Sequence, residues 1–411
     1  MSDECRVYRY RWVVLAVFMF VNLTIQMLWI GYAPISSQAG RYYGVSDLKI
    51  GLLAMTFMIV FIPFSLPAAW AIDTLGFRAA VGFGAVLMSV FGLVRGLAGT
   101  NYTLALLSTV GIAIAQPFLL NAWTKVPANW FPAAGRATAV GLVTLASFIG
   151  IAAGMALTPV LTHSMAIATV QLMYGGLAAV SAAAFLLLAR ERPATPPCPP
   201  GMEVRALMLD GLKHALTVKP FLVMLGVAFV VMGIFNGVST WVEDIVRPRG
   251  FGSTDAGTLG ALMLVGGVLG AVVLSAVSDR QGRRIRFLVL GLALATPGLL
   301  GITFATATWL LFVSGFALGF FLVSAMPIGL QYAAEVTFPT PEGTSSGLVQ
   351  LCGQCSVAIV YGMAALKSAG GSFTTSLLLA VGLLLLAALA MTRQRDAAPG
   401  TAPGVAPAAG E

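Results

Sequence analysis

Asn22, Gln26 and Trp29 recur at i, i+4 and i+7, so on a helix they share one face, with Tyr32 close beside it. Gln116, followed by Pro117, Asn121 and Trp123, lies in another apolar stretch. A third group is Phe235, Asn236, Ser239 and Thr240, with Trp241 next to Glu243 and Asp244, and a fourth stripe holds Gln350, Gln354 and Tyr361. Carboxamides and rings without formal charge break no bonds; they recognise. Ring faces hold a soft organic cation at about 0.5–2 kcal/mol each, and a carboxamide can bond a hydroxyl, so the set suits a neutral polar solute or a quaternary ammonium. Two rings alone fall short of the roughly 4 kcal/mol that millimolar affinity requires. Shape and further desolvated contacts must contribute.

The same residues have structural alternatives. Trp123, Trp241 and Trp309 lie near the ends of apolar stretches and read first as interfacial anchors. Asn22, Ser239 and Thr240 serve equally as hydrogen-bond partners between helices. Trp29, Gln116 and Gln354 sit well inside their stretches and are the stronger cavity residues. Enzymatic chemistry is excluded, because no nucleophile–base pair or metal constellation falls within these stretches. His163 and His214 are too remote to complete a zinc set with Cys352 and Cys355, whose C-x-x-C spacing inside an apolar run reads as helix packing. No metal and no cofactor is expected.

The elements that position these residues are twelve apolar stretches near 12–34, 48–71, 79–98, 102–123, 137–160, 168–189, 219–242, 257–278, 285–305, 307–330, 344–366 and 373–392. Hydrophobic residues make up 58% of the 411 and charged residues 9%, and a membrane span needs roughly 20 mainly apolar residues. Lipid-exposed backbone must satisfy its own hydrogen bonds, so the class is an all-α membrane protein with 12 transmembrane helices. Arg6, Arg9 and Arg11 lead directly into the first run without a small-residue cleavage site, so that helix is expected to be retained. With both termini cytoplasmic, 17 of the 23 basic residues fall on the inner face, as the positive-inside rule requires. The net charge of +8 is therefore an orientation signal. No soluble segment is long enough to carry a nucleic-acid footprint.

The chain divides into a cytoplasmic N-terminus at 1–11, a six-helix bundle at 12–189, a Pro-rich cytoplasmic linker at 190–218, a second six-helix bundle at 219–392 and a disordered tail at 393–411. The halves repeat. Asp73-Thr74-Leu75-Gly76-Phe77-Arg78 returns as Asp279-Arg280-Gln281-Gly282-Arg283-Arg284, offset by 206, and Phe131-Pro132 with Gly135 returns as Phe338-Pro339 with Gly343, offset by 207 or 208. Twelve helices in two pseudo-symmetric halves, each with Asp-x-x-Gly and Arg after its second helix, resemble the major facilitator superfamily. That resemblance implies two bundles that rock around a midplane site, lined by helices one, four, seven and ten or eleven. In such a fold Asp73, with Arg78, is expected to face the start of the eleventh helix at Glu342, Thr344 and Ser345. By symmetry Asp279, with Arg283, faces the fifth near Arg136, and these contacts act as a cytoplasmic gate.

No Asp or Glu lies in the interior of a span, and Arg95 is the one basic residue near one, toward its outer end. Proton coupling usually needs an intramembrane acid or His, so uniport is expected. Trp29-Ile30-Gly31-Tyr32, Arg41-Tyr42-Tyr43-Gly44-Val45 in a first outer loop, Phe61-Ile62-Pro63, Ala115-Gln116 and Glu342-Gly343-Thr344-Ser345-Ser346-Gly347-Leu348 are similar to the feline leukaemia virus subgroup C receptor-related transporters. By that resemblance Trp29 is the aromatic wall against an ammonium, and Gln116 and Gln354 are polar cavity residues. The chain departs from the family's Tyr at Asn236. The implied substrate is a choline- or ethanolamine-like amine; the rivals are export of haem or another hydrophobic metabolite, and a transporter-like sensor without flux. A monomer is expected in the plasma membrane, the inner membrane of a bacterium, with a small solute and the lipid bilayer as its partners.

Overall fold

A computed structural model of the chain describes residues 8–123, 125–193, 208–337, 340, 342–367 and 371–396, and among them there is no strand. Twelve helical segments of the described residues are long and apolar enough to cross a membrane. The chain forms two compact units, one within Met1–Glu203 and Ser239–Ala261, the other within Val204–Val238 and Leu262–Glu411.

The first unit contains α1 (Arg11–Ile30), α2 (Ser36–Tyr43), α3 (Asp47–Thr74), α4 (Phe77–Leu97), α5 (Tyr102–Leu120), α6 (Lys125–Trp130), α7 (Ala133–Ser164) and α8 (Ile167–Leu188). After α9 (Met208–Thr217) the chain returns to it through the last residues of α10 (Lys219–Thr240), through α11 (Val242–Val246) and through the first turns of α12 (Ser253–Gln281). Helices in lipid associate through close backbone contact rather than through a hydrophobic drive, which favours small residues at the seams. Thus Gly92 of α4 lies on Gly175 of α8, and a side chain at Gly150 of α7 would overlap the Leu23 carbonyl of α1. Large apolar side chains face outward instead, as at Leu66, Leu107 and Leu187.

The first span does not end where its apolar run does. Pro34 supports a 3-10 turn at Ala33–Ile35, and α2 follows directly, so Arg41–Tyr43, expected in a loop, are helical. Gly44, at φ +66°, stops α2 in the left-handed conformation that favours glycine, and the Val45 N–H closes on the Gly40 carbonyl.

The second unit holds most of α10 and α12 with α13 (Arg284–Phe304), α14 (Thr308–Val336), α15 (Glu342–Cys355), α16 (Val357–Ala365) and α17 (Thr374–Thr392). The span expected at 344–366 is broken at Ser356 into α15 and α16.

Candidate functional site

The polar face of α1 is real, but its members do different work. Asn22 is fully buried, donates to the Phe18 carbonyl at 2.9 Å and accepts the Trp123 indole N–H at 2.6 Å. Trp123 is therefore an interhelical tie rather than an interfacial anchor. The Trp29 indole N–H donates to the Ala54 carbonyl of α3 at 3.2 Å, which fixes the ring plane. Gln26 and Gln116 are buried, and the Oε1 of each has no hydrogen-bond partner among the described residues. A buried carbonyl oxygen without a donor is costly, so these two oxygens are acceptors held ready. Asn121, at the end of α5, instead donates to the Ser65 carbonyl of α3 at 2.9 Å.

Tyr32, expected beside the solute, belongs to another cluster. Its hydroxyl lies 2.8 Å from that of Tyr43, and the pair is packed with Ile35, Ala39, Ile50 and Leu53. The physical reason is the turn after Ile30, which carries Tyr32 off the helical stripe of Trp29.

The end of this unit where α1 passes into α2 carries a polar latch absent from the expected site. Ser36 Oγ lies 3.1 Å from Glu243 Oε2 and 2.7 Å from Asp244 Oδ2; the Ser37 N–H donates to Glu243 Oε2 at 2.9 Å, and Ser37 Oγ donates to Oε1 of the same carboxylate. Both carboxylates are buried. Arg247 bridges Asp244 at 3.1 Å and Asp47 at 2.8 Å. Burial alone would lower the Arg247 pKa; the Asp47 hydrogen bond and the Asp244, Asp47 and Glu243 charges outweigh it and hold the pKa above its ordinary value. A recess of about 320 Å³ lies beside the latch, lined by Ser37, Arg41, Asp47 and Arg247. Trp241 is 1% exposed rather than interfacial, its ring filling the space left by Gly51 of α3. One signal could have found the latch: Ser36 and Glu243 are 207 apart, the offset of the internal repeat.

In the second unit Phe235, Asn236 and Gln354 are buried and Gln350 is partly so. Gly233 of α10 lies under Ile359, and Gly353 of α15 under Met232, which brings α10 against α15 and α16. Tyr361 does not continue the Gln350–Gln354 stripe: it follows the break at Ser356 and is 57% exposed, against 8% for Gln354.

At the C-terminal end of α3, the Asp73 carboxylate pairs with Lys125 at 3.2 Å and is largely exposed. The Phe77 and Arg78 N–H groups donate to Glu191 at 3.1 and 2.7 Å, so Glu191 caps α4, while the Arg78 side chain reaches the Leu186 carbonyl. Arg136 donates to the Phe131 and Ala128 carbonyls, closing the end of α6. The second half repeats the cap: Asp396, 205 residues after Glu191, accepts from the Ile285 N–H of α13 at 2.9 Å. Arg283 is exposed at the start of α13, and Ser345 Oγ lies 2.6 Å from Thr337 Oγ1. The side chains of Asp279, Glu342 and Thr344 lie outside the described residues.

A sequence profile of the Major Facilitator Superfamily matches residues 15–252 and 243–409. Solute carrier family 49 member A3 of Xenopus tropicalis is 30% identical over 389 residues, which span 88% of this chain and 78% of that protein. The choline/ethanolamine transporter flvcr2a of Danio rerio is 28% identical over 382 residues, spanning 88% and 80%. Among solved structures, a bacterial homologue of the human lysosomal transporter Spinster, inward-facing and unoccupied, is similar in fold with a TM-score of 0.73 at 16% identity, over 94% of this chain and 97% of that one.

Proposed function

The chain belongs to the major facilitator superfamily and is an integral membrane transporter, not an enzyme; from that premise we propose that it moves a small amine of the choline or ethanolamine class by uniport. The observation that carries the reading is the fixed indole of Trp29 together with the unpartnered, buried carboxamide oxygens of Gln26 and Gln116 in the same unit. A ring face attracts a quaternary ammonium, and a carboxamide oxygen accepts from the alcohol of choline or the N–H of ethanolamine. Relatives named as choline/ethanolamine transporters support the same class. In the second unit Asn236, Phe235, Gln350 and Gln354 are the binding candidates, and the gating candidates are Asp73, Arg78 and Arg136 in the first unit and Asp279, Arg283, Glu342, Thr344 and Ser345 in the second. The protein resides in the plasma membrane, the inner membrane of a bacterium, with both termini cytoplasmic. Its two functional bundles are 12–189 and 219–392.

Uptake of labelled choline and ethanolamine into proteoliposomes without a proton gradient tests this. The expected result is saturable flux, insensitive to a protonophore, and reduced at least tenfold in Trp29→Ala and in Gln116→Leu. Flux of neither amine through folded protein would refute the substrate class, and flux that requires a proton gradient would refute uniport.

A further inference from the structure

Arg95 of α4 is 1% exposed, and no carboxylate pairs with it among the described residues. Two contacts offset part of its charge. Nη1 donates to the Leu28 carbonyl at 3.1 Å, near the C-terminal end of α1, where the helix dipole is negative, and the guanidinium lies 5.4 Å from the Tyr32 ring centre. Nε and Nη2 have no hydrogen-bond partner among the described residues. A buried cation with free donors is a strongly unfavourable arrangement unless something accepts from it.

The neighbourhood is rich in donors. Gln171 of α8 is fully buried, and neither atom of its carboxamide has a partner among the described residues. Gly92 packs on Gly175 and Gly96 on Leu172, so α4 and α8 run antiparallel, with Arg95 and Gln171 each next in sequence to the Gly96–Leu172 contact. The hydroxyls of Tyr32 and Tyr43 share one hydrogen between them, which leaves the other free to donate. Tyr174 is already engaged: Thr158 donates to the Gly154 carbonyl, so the Tyr174 hydroxyl donates to Thr158 at 2.8 Å.

We propose that Arg95, Gln171 and the Tyr32–Tyr43 pair form a buried site for a small monovalent anion of the halide class. Such an ion accepts from several donors at once and brings no hydrogen of its own. Water would add two donors to a place where the unpartnered N–H and O–H groups already outnumber the one unpartnered acceptor, Gln171 Oε1. Because Leu28 and Tyr32 flank Trp29, the ion would steady the segment where α1 gives way to the 3-10 turn. The site is independent of the amine reading and survives its failure.

Thermal unfolding of the purified protein in chloride, bromide and gluconate, at one ionic strength and with one cation, tests the site. Raising halide from about 1 to about 150 mM should lift the midpoint saturably by roughly 2 °C or more, since a ligand that prefers the folded state stabilises it by mass action. Gluconate should give no rise, and Arg95→Gln and Gln171→Leu should lose the halide response. Bromide anomalous scattering from wild-type crystals, with a peak expected beside Arg95, decides the matter if the variants do not fold. Equal midpoints in all three anions, a response that persists in Arg95→Gln, or no peak near Arg95 would overturn the proposal.

Discussion

Replacing Glu243 by Gln tests the latch with little change of volume. The native carboxylate accepts from the Ser37 N–H and from Ser37 Oγ, using both of its oxygens, and competes with the nearer Asp244 for the single Ser36 hydroxyl hydrogen. A hydrogen bond to a charged group contributes about 1.5–3 kcal/mol and a neutral one about 0.5–1.5. In Glu243→Gln one oxygen becomes an amide nitrogen that cannot accept, so at least one bond is lost and the others weaken. The sum is about 3 kcal/mol, or roughly a 100-fold shift between latched and released states if the two interconvert. The assay places a single cysteine at Thr240, which is buried just below Trp241, in a chain whose four native cysteines are replaced. A polar thiol reagent is then added to the purified protein. Labelling should be slow with Glu243 in place and roughly 100-fold faster in Glu243→Gln. Ser37→Ala, which removes one hydroxyl and keeps the backbone donor, should accelerate labelling by about tenfold or more, yet by less than Glu243→Gln. Rates within twofold of each other in all three proteins would refute the idea that these bonds hold this end of the unit shut.

Trp123→Phe should lower stability by about 1–3 kcal/mol, because Asn22 Oδ1 is left buried without its donor; thermal unfolding measures this, and the KM of transport should stay within twofold. Gly150→Leu should abolish accumulation of folded protein, since the new side chain meets the Leu23 carbonyl, whereas Gly141→Ala, with open space around it, should accumulate normally; quantitative fluorescence size exclusion separates the two. Glu191→Ala and Asp396→Ala should each cost about 0.5–2 kcal/mol through the lost helix cap, read as a lowered unfolding midpoint.

The helices were legible because lipid allows few alternatives: a run of some twenty apolar residues must satisfy its own backbone. The repeat was legible because two loops carry Asp-x-x-Gly at a constant offset. Individual polar roles were less so, and the reasons differ. Trp123 and Trp241 both sit at helix ends, where a belt tryptophan and a buried one have the same sequence context. What separates them is a remote partner, Asn22 in one case and the vacant space over Gly51 in the other. Tyr32 looked like a neighbour of Trp29 because periodicity assumes that the helix continues, and Pro34 supports the turn that ends it. Arg95 was visible as a cation near a span end, where a long side chain normally reaches toward water. Its burial depends on the Leu28 carbonyl inside α1 and on the Tyr32 ring, which the turn after Ile30 brings within reach. One local departure from helical geometry, after Ile30, thus moves Tyr32 off the stripe of Trp29, gives Arg95 one of its two partners and starts the α2 segment whose serines meet Glu243 and Asp244. Periodicity identifies which residues of an intact helix share a face; where the helix breaks, function has to be read from the residues that hold the break.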